Sequence, residues 1–153
     1  MLRFIVAFMF AGLMLGPAAA HQYSKGALNI VHPSSRPAAK GMNGVGYLTV
    51  NNTGSKPDVL LAVECPLATK VEIHASSNTG GVSRMRKVQG GVPAPARGVA
   101  KLAPGGTHIM LIKLKRPLAV GDKVPATLVF KNAGRVPIEM MVTKGAAKES
   151  HKH

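Results

Sequence analysis

Residues 71–114 read VEIHASSNTGGVSRMRKVQGGVPAPARGVAKLAPGGTHIMLIKL, and this stretch decides the fold class. Short runs rich in β-branched residues alternate there with glycine- and proline-rich corners, such as GG at 80–81 and PGG at 104–106. This pattern is typical of strands joined by tight turns. Apolar residues do not recur at helical spacing between two caps. The stretch therefore predicts β structure.

The same pattern extends over the rest of the chain. Runs of β-prone residues recur about every ten residues, the spacing of an antiparallel β-sandwich or barrel. KNAG at 131–134 predicts a hairpin between the last two runs, Pro33 is expected to end the first strand, and 38–44 is expected to be a loop. The predicted strands are 27–32, 45–52, 59–64, 71–75, 82–88, 98–102, 107–114, 124–130 and 135–142. We predict one all-β domain.

The first 20 residues have the features of a secretory signal. Arg3 supplies a positive charge, 4–15 is an apolar run, and AAA at 18–20 offers small residues for cleavage. The apolar run is shorter than the roughly 20 residues that a membrane span needs. We therefore expect a periplasmic protein cleaved after Ala20, with a folded domain over 21–143 and a flexible polar tail over 144–153.

Composition limits the partners of the exported chain. The sequence has 20 Lys and Arg against 6 Asp and Glu, and loss of residues 1–20 removes only Arg3, which lowers the net charge from +14 to +13. Nucleic acid is a poor candidate partner, because an exported protein is separated from it. Only Tyr23, Tyr47 and Phe130 remain for base stacking. We expect a monomer attracted to an acidic protein or a membrane surface. A basic surface that only aids solubility remains open.

Four side chains within the deciding stretch form a candidate soft-metal site. They are His74, Met85 and the pair His108-x-Met110. Residues two apart on a strand face the same side, so His108 and Met110 project together. Two strands joined at the GG turn can bring His74 and Met85 onto one hairpin, and we expect that hairpin to lie beside the His108 strand.

Imidazole and thioether ligands favour copper, above all Cu(I). The four side chains add no charge when the histidines are neutral, which also suits a monovalent ion, so we predict one Cu(I) per chain. A methionine on a strand more often fills the core, although Met85 lies between two arginines and is not an obvious core position. His21, with its free amine, and His151 and His153 leave open a weak second Cu(II) site at a terminus.

Other classes of protein fit the residues less well. A blue-copper electron carrier needs a thiolate beside two histidines, and Cys65, the single cysteine, has no histidine close by. A copper oxidase built on His21 would need His32 to complete its site, and no other catalytic set is evident, so we do not expect an enzyme. A plain adhesion or interaction module, with His and Met in structural positions, remains an alternative.

The spacing of the four residues is similar to the metal-binding pattern of the periplasmic copper chaperone family PCuAC. The resemblance extends from HP at 32–33 through YLTV at 47–50, KVEIH at 70–74 and GGVSRMRKV at 80–88. It continues through PGGTHIMLIKLKRPLAVGDKVPATLVF at 104–130. Two positions depart from the family: Ala75 stands where members often carry a methionine, and Ser34 where an aromatic residue is common.

The resemblance implies a cupredoxin-like β-sandwich with an exposed mononuclear Cu(I) site formed by His74, Met85, His108 and Met110. It also implies a role in copper homeostasis and cytochrome oxidase assembly. Such a carrier passes copper to the copper centre of a respiratory cytochrome oxidase, directly or through a partner chaperone. General periplasmic copper storage or resistance, without a dedicated oxidase acceptor, is the alternative function.

Overall fold

The computed structural model describes residues 22–145, in which eleven β-strands alternate with turns and loops. Their bounds are β1 Gln22–Lys25, β2 Leu28–Ser35, β3 Gly44–Asn52, β4 Asp58–Glu64, β5 Ala68–Thr79, β6 Val82–Lys87, β7 Val92–Ala94, β8 Gly98–Leu102, β9 Thr107–Leu114, β10 Lys123–Phe130 and β11 Gly134–Val142. Within this part of the chain, no helix is long and apolar enough to cross a bilayer. The predicted signal at 1–20, His21, His151 and His153 lie outside the described residues.

The strands form one continuous sheet in the order β6-β5-β9-β3-β2-β11-β10-β4-β7, with β1 added to β2 and β8 added to β3. Neighbouring strands are antiparallel except β11 and β2, which pair in parallel through Met141–Ser34 and Val142–Ser35. The predicted hairpin at 131–134 is present as the β10–β11 turn. The all-β prediction is confirmed.

One core fills the space between the two halves of the sheet. Ile30 and Leu48 from β2 and β3 belong to the same buried cluster as Leu128 of β10. The two halves are also tied at one end, where the Asn52 side-chain amide donates to the Ala94 carbonyl oxygen at 3.1 Å. Since Asn52 and Ala94 belong to strands far apart in the sheet order, the sheet folds over on itself as a sandwich.

Several strands differ from the prediction, most of them by one residue at an end. β2 continues through Pro33 to Ser35, so the expected stop at Pro33 is wrong. The register shifts between Val31 and Ser34 and His32 has φ 54°, which marks a bulge where proline need not donate to the ladder. β5 is longer than predicted, and the short strands β1 and β7 were not predicted.

Candidate metal centre

The β5–β6 hairpin sets the side of the sheet on which Met85 lies. Its turn is Gly80-Gly81, and both residues have positive φ, 60° and 78°, as a two-residue type I′ turn requires. The turn pairs Thr79 with Val82, and the same register places Met85 opposite Ser76. Directly paired residues face the same side, so Met85 shares the face of Ser76 and His74.

β9 lies against the other side of β5, as predicted. His74 is paired directly with His108, and Glu72 is paired with Met110. All four predicted ligand residues therefore lie on one face of the three strands β6, β5 and β9. His108 is directly across from His74, and Met85 and Met110 occupy the two diagonal positions, roughly 7–8 Å away between backbones, a gap that long side chains can close.

The four candidate ligands differ in how far their side chains are exposed to solvent. His108 is 5% exposed, whereas Met85 is 52% exposed. His74 and Met110 are half-buried. Met85 lies on β6, which is at the end of the strand order and has every residue exposed. One side of the site therefore opens to solvent, while the histidine side is enclosed.

His108 presents one ring nitrogen that has no partner. Its Nδ1 lies 3.0 Å from the Gly106 carbonyl oxygen, and its ring centre is 6.1 Å from that of His74. Because a carbonyl oxygen only accepts hydrogen bonds, Nδ1 carries the proton of the neutral ring and Nε2 keeps its lone pair. Nε2 is buried without a hydrogen-bond partner among the described residues.

His74 presents the opposite nitrogen. Its Nε2 lies 2.9 Å from Oε2 of Glu72. A hydrogen bond from Lys70, together with hydrogen bonds from His74 and Lys87, lowers the pKa of Glu72 to about 2, so this carboxylate accepts and does not donate. The proton of the neutral His74 ring is therefore on Nε2, and Nδ1 is the second buried atom without a partner.

Two buried nitrogens without partners, on histidines whose ring centres are 6.1 Å apart, call for an explanation, since such groups nearly always have partners. A metal ion would supply one, because a neutral imidazole binds metals through the nitrogen that keeps its lone pair. Within residues 22–145, no three His, Cys, Asp or Glu side chains gather in a metal-binding arrangement. Further ligands would therefore be the thioethers of Met85 and Met110, a set that selects a soft ion.

Cys65 is not part of this centre. It lies in the connection from β4 to β5 and is buried in the core, at the far end of β5 from His74. Burial raises the pKa of the Cys65 thiol, which disfavours the thiolate that copper would bind. The site thus lacks the thiolate of a blue-copper centre, as the sequence indicated.

Sequence reasoning missed Glu72. The signal was present as Glu72-x-His74 in a predicted strand, since residues two apart share a face and metal-binding histidines usually donate their second nitrogen to a carboxylate or carbonyl. The hydrogen-bond partner of His108 could not be predicted from the types of nearby side chains, because it is the backbone carbonyl of Gly106.

Comparison with known proteins places this chain in a family. The family model "Putative lipoprotein LpqE-like" matches residues 28–142, which span β2 to β11 and include all four candidate ligands. The chain belongs to the LpqE-like family. A relative from Leifsonia xyli subsp. xyli, named "Putative lipoprotein Lxx21020", is 33% identical over 116 residues, which cover 75% of this chain and 69% of the relative.

Two solved structures similar to this LpqE-like chain are described as copper-loaded forms. The copper-bound PCuAC domain from PmoF2 superposes with a TM-score of 0.69 at 28% identity, covering 82% of this chain and 99% of that domain. The Cu(I) form of DR1885 from Deinococcus radiodurans has a TM-score of 0.58 at 31% identity, covering 74% of this chain and 78% of that protein. The cupredoxin-like fold predicted from the PCuAC resemblance is confirmed.

Proposed function

We propose that this LpqE-like protein is a copper carrier that binds one Cu(I) through His74, Met85, His108 and Met110. The observation that carries the proposal is the pair of buried, unpartnered nitrogens, Nδ1 of His74 and Nε2 of His108, on the face that also holds both methionines. The copper-bound PmoF2 domain and the Cu(I) form of DR1885 support a copper-binding role.

The proposed place of action is the periplasm, and the proposed recipient is the copper centre of a respiratory cytochrome oxidase or a partner chaperone. The apolar segment at 4–15 and the lipoprotein name of the Leifsonia relative support export. The resemblance to PCuAC proteins supports delivery to an oxidase. In this role the protein transfers its ion unchanged and acts as a carrier, not as an enzyme.

A carrier must release its ion, and the exposure of Met85 provides a route. The thioether is a neutral ligand at the open edge of the site. An acceptor ligand can therefore replace Met85 first while the enclosed His108 still holds the ion. Stepwise exchange of this kind avoids releasing free Cu(I) into solvent.

The charges around the site favour an acidic acceptor. Lys70 and Lys87 lie on the site face with side chains 61% and 51% exposed. Glu72 is the acidic residue beside them, and it contacts both lysines. The remaining basic charge attracts an acidic protein surface over the open side of the site and speeds the encounter.

Titration of the metal-free protein with Cu(I) against a chromophoric chelator tests the binding role. We expect one equivalent to bind tightly, and Met85→Ala, Met110→Ala and His108→Ala each to lower the affinity at least roughly tenfold, by loss of one direct ligand. Met42→Ala is the matched control, because Met42 is 61% exposed and lies outside the three strands of the site. Wild-type affinity in all three ligand variants would refute the proposal.

A deletion strain separates delivery from storage. Under copper limitation, loss of the gene should lower cytochrome oxidase activity, and the wild-type gene but not a Met110→Ala copy should restore it. Unchanged oxidase activity together with reduced copper tolerance would instead favour general periplasmic copper storage.

A further inference from the structure

The carboxylate of Glu72 is a part of the site that the four ligands do not explain. Glu72 lies two residues before His74 on β5, on the same face and directly opposite Met110. Its side chain is only 13% exposed. A carboxylate enclosed to this degree on an outer sheet face needs specific partners.

Three groups hold this carboxylate in place. Oε2 accepts from Nε2 of His74 at 2.9 Å, and Oε1 lies 2.6 Å from Nζ of Lys70 and 3.3 Å from Nζ of Lys87. Lys87 belongs to β6 and is paired directly with His74. The carboxylate is thus fixed from its own strand and from the hairpin limb that carries Met85.

The contact with Glu72 decides which nitrogen of His74 is free. A neutral imidazole exists in two tautomers, and either nitrogen can hold the proton. Since the carboxylate only accepts, its bond to Nε2 favours the tautomer with the proton there and leaves the lone pair on Nδ1. The same bond restricts rotation of the ring, so Nδ1 stays directed into the enclosed region where it has no protein partner.

We propose that Glu72 is a positioning residue that holds His74 in the tautomer and orientation that present Nδ1 to copper, while His108 presents Nε2. This inference rests on the proposed function. Glu72 acts through His74 and not as a ligand, since both of its oxygens already have partners. The Gly106 carbonyl does the same for His108 and cannot be removed by a side-chain substitution.

Two measurements at constant neutral pH test the role of Glu72. Long-range ¹H–¹⁵N correlation spectra of the metal-free protein identify the tautomer of each histidine, and competition titration with Cu(I) gives the affinity. In the wild type we expect the proton of His74 on Nε2 and that of His108 on Nδ1. Glu72→Ala should give a mixture of tautomers at His74 only and lower the Cu(I) affinity by about 10–100-fold.

Glu72→Gln provides rescue, because its amide oxygen still accepts from Nε2 and should restore the His74 tautomer and part of the affinity. Glu64→Ala is the matched control, since it removes a carboxylate that pairs with Arg135 on other strands. An unchanged His108 signal shows that a variant is folded, and if Glu72→Ala fails to fold, the comparison with Glu72→Gln decides.

The outcomes separate this inference from the carrier role. Wild-type affinity and an unchanged His74 tautomer in Glu72→Ala would overturn the inference and leave copper binding intact. Absence of Cu(I) binding by the wild type would refute the carrier role, and the tautomer spectra of the metal-free protein would still decide whether Glu72 fixes the ring.

Discussion

At the scale of single residues, the site depends on which atoms lack partners. His74 and His108 each have one nitrogen satisfied by the protein and one buried nitrogen left free. Leaving a buried polar atom unpaired costs about 1–3 kcal/mol. Retaining two such atoms is unfavourable for the metal-free fold, and binding of the proposed Cu(I) to both would remove that cost.

Substitution of Cys65 should leave copper binding unchanged. The thiol is buried in the core away from the site, and burial raises its pKa. Cys65→Ala should therefore keep one equivalent of Cu(I) at wild-type affinity and lower the free energy of unfolding by about 1 kcal/mol through lost packing. Chelator titration and urea unfolding measure both quantities. A loss of bound copper would show that the thiol is a ligand.

How far the site could be predicted also depends on the residue. The two histidines and two methionines were visible in the sequence because their types and spacing match soft-metal ligands. Glu72 was overlooked because its function is exerted through His74. Which nitrogen each histidine presents could not be predicted, because it depends on one side chain and one carbonyl brought near only by folding.

At the scale of elements, the β5–β6 hairpin determines whether Met85 can reach the ion. A shift of one residue in its register would turn Met85 to the other face. β6 is exposed throughout and contributes little to the core, so its register relies on the Gly80-Gly81 turn and the backbone ladder with β5.

A strained turn should weaken copper binding without unfolding the domain. Gly81 has φ 78°, and placing a side chain there costs about 1–2 kcal/mol. Gly81→Ala should lower Cu(I) affinity several-fold, speed hydrogen exchange in β6 and lower the melting temperature by a few degrees. Gly26→Ala is the matched control, because Gly26 has φ 56° in the β1–β2 turn far from the site. Equal effects of both substitutions on copper would contradict this role of the hairpin.

The strands predicted with the most accurate bounds include two whose residues alternate between core and surface. β3 and β10 do so from end to end and were found with bounds that differ by one residue. β1 has the polar sequence QYSK, and β7 has three residues including Pro93, so neither carries an apolar pattern. Both are held by pairing with a neighbouring strand, which no local pattern reveals.

At the scale of the whole molecule, a buried carboxylate stabilises a turn outside the three strands of the candidate metal site. Asp58 is 6% exposed and accepts hydrogen bonds from the backbone amides of Val59, Asn132 and Ala133. Burial alone would raise the pKa of Asp58, but these three amides and the nearby Lys131 outweigh it and lower the pKa below 3.8. Asp58 therefore joins the start of β4 to the β10–β11 turn.

This lowered pKa predicts a loss of stability in acid. Well above pH 3.8 Asp58 is ionised in both the folded and the unfolded chain and its contribution is complete. As the pH falls through the folded pKa, the unfolded chain binds the proton more readily and that contribution is lost. Asp58→Asn should cost about 2 kcal/mol at pH 7 and progressively less in acid. Urea unfolding at several pH values measures the free energy of unfolding of wild type and variant, and Glu139→Gln, at an exposed position, is the control. A difference between Asp58→Asn and wild type that does not change with pH would contradict the prediction.

The strongly basic net charge, +14 for the full sequence and +13 without residues 1–20, predicts salt-dependent transfer. Attraction between a basic carrier and an acidic acceptor is screened as the Debye length shortens, from about 10 Å at 0.1 M salt to about 3 Å at 1 M. The rate of Cu(I) transfer to a purified acceptor should therefore fall as salt rises, and Lys87→Gln should weaken that dependence. Stopped-flow measurements that show a rate independent of salt would exclude steering.

X-ray absorption at the copper edge tests the central claim most directly. The Cu(I)-loaded protein should show nitrogen neighbours from two imidazoles and sulfur neighbours from two thioethers, and Met85→Ala and Met110→Ala should each remove one sulfur. A copper environment of nitrogen and oxygen alone, or one in which both methionine variants leave the sulfur signal unchanged, would contradict the proposed site.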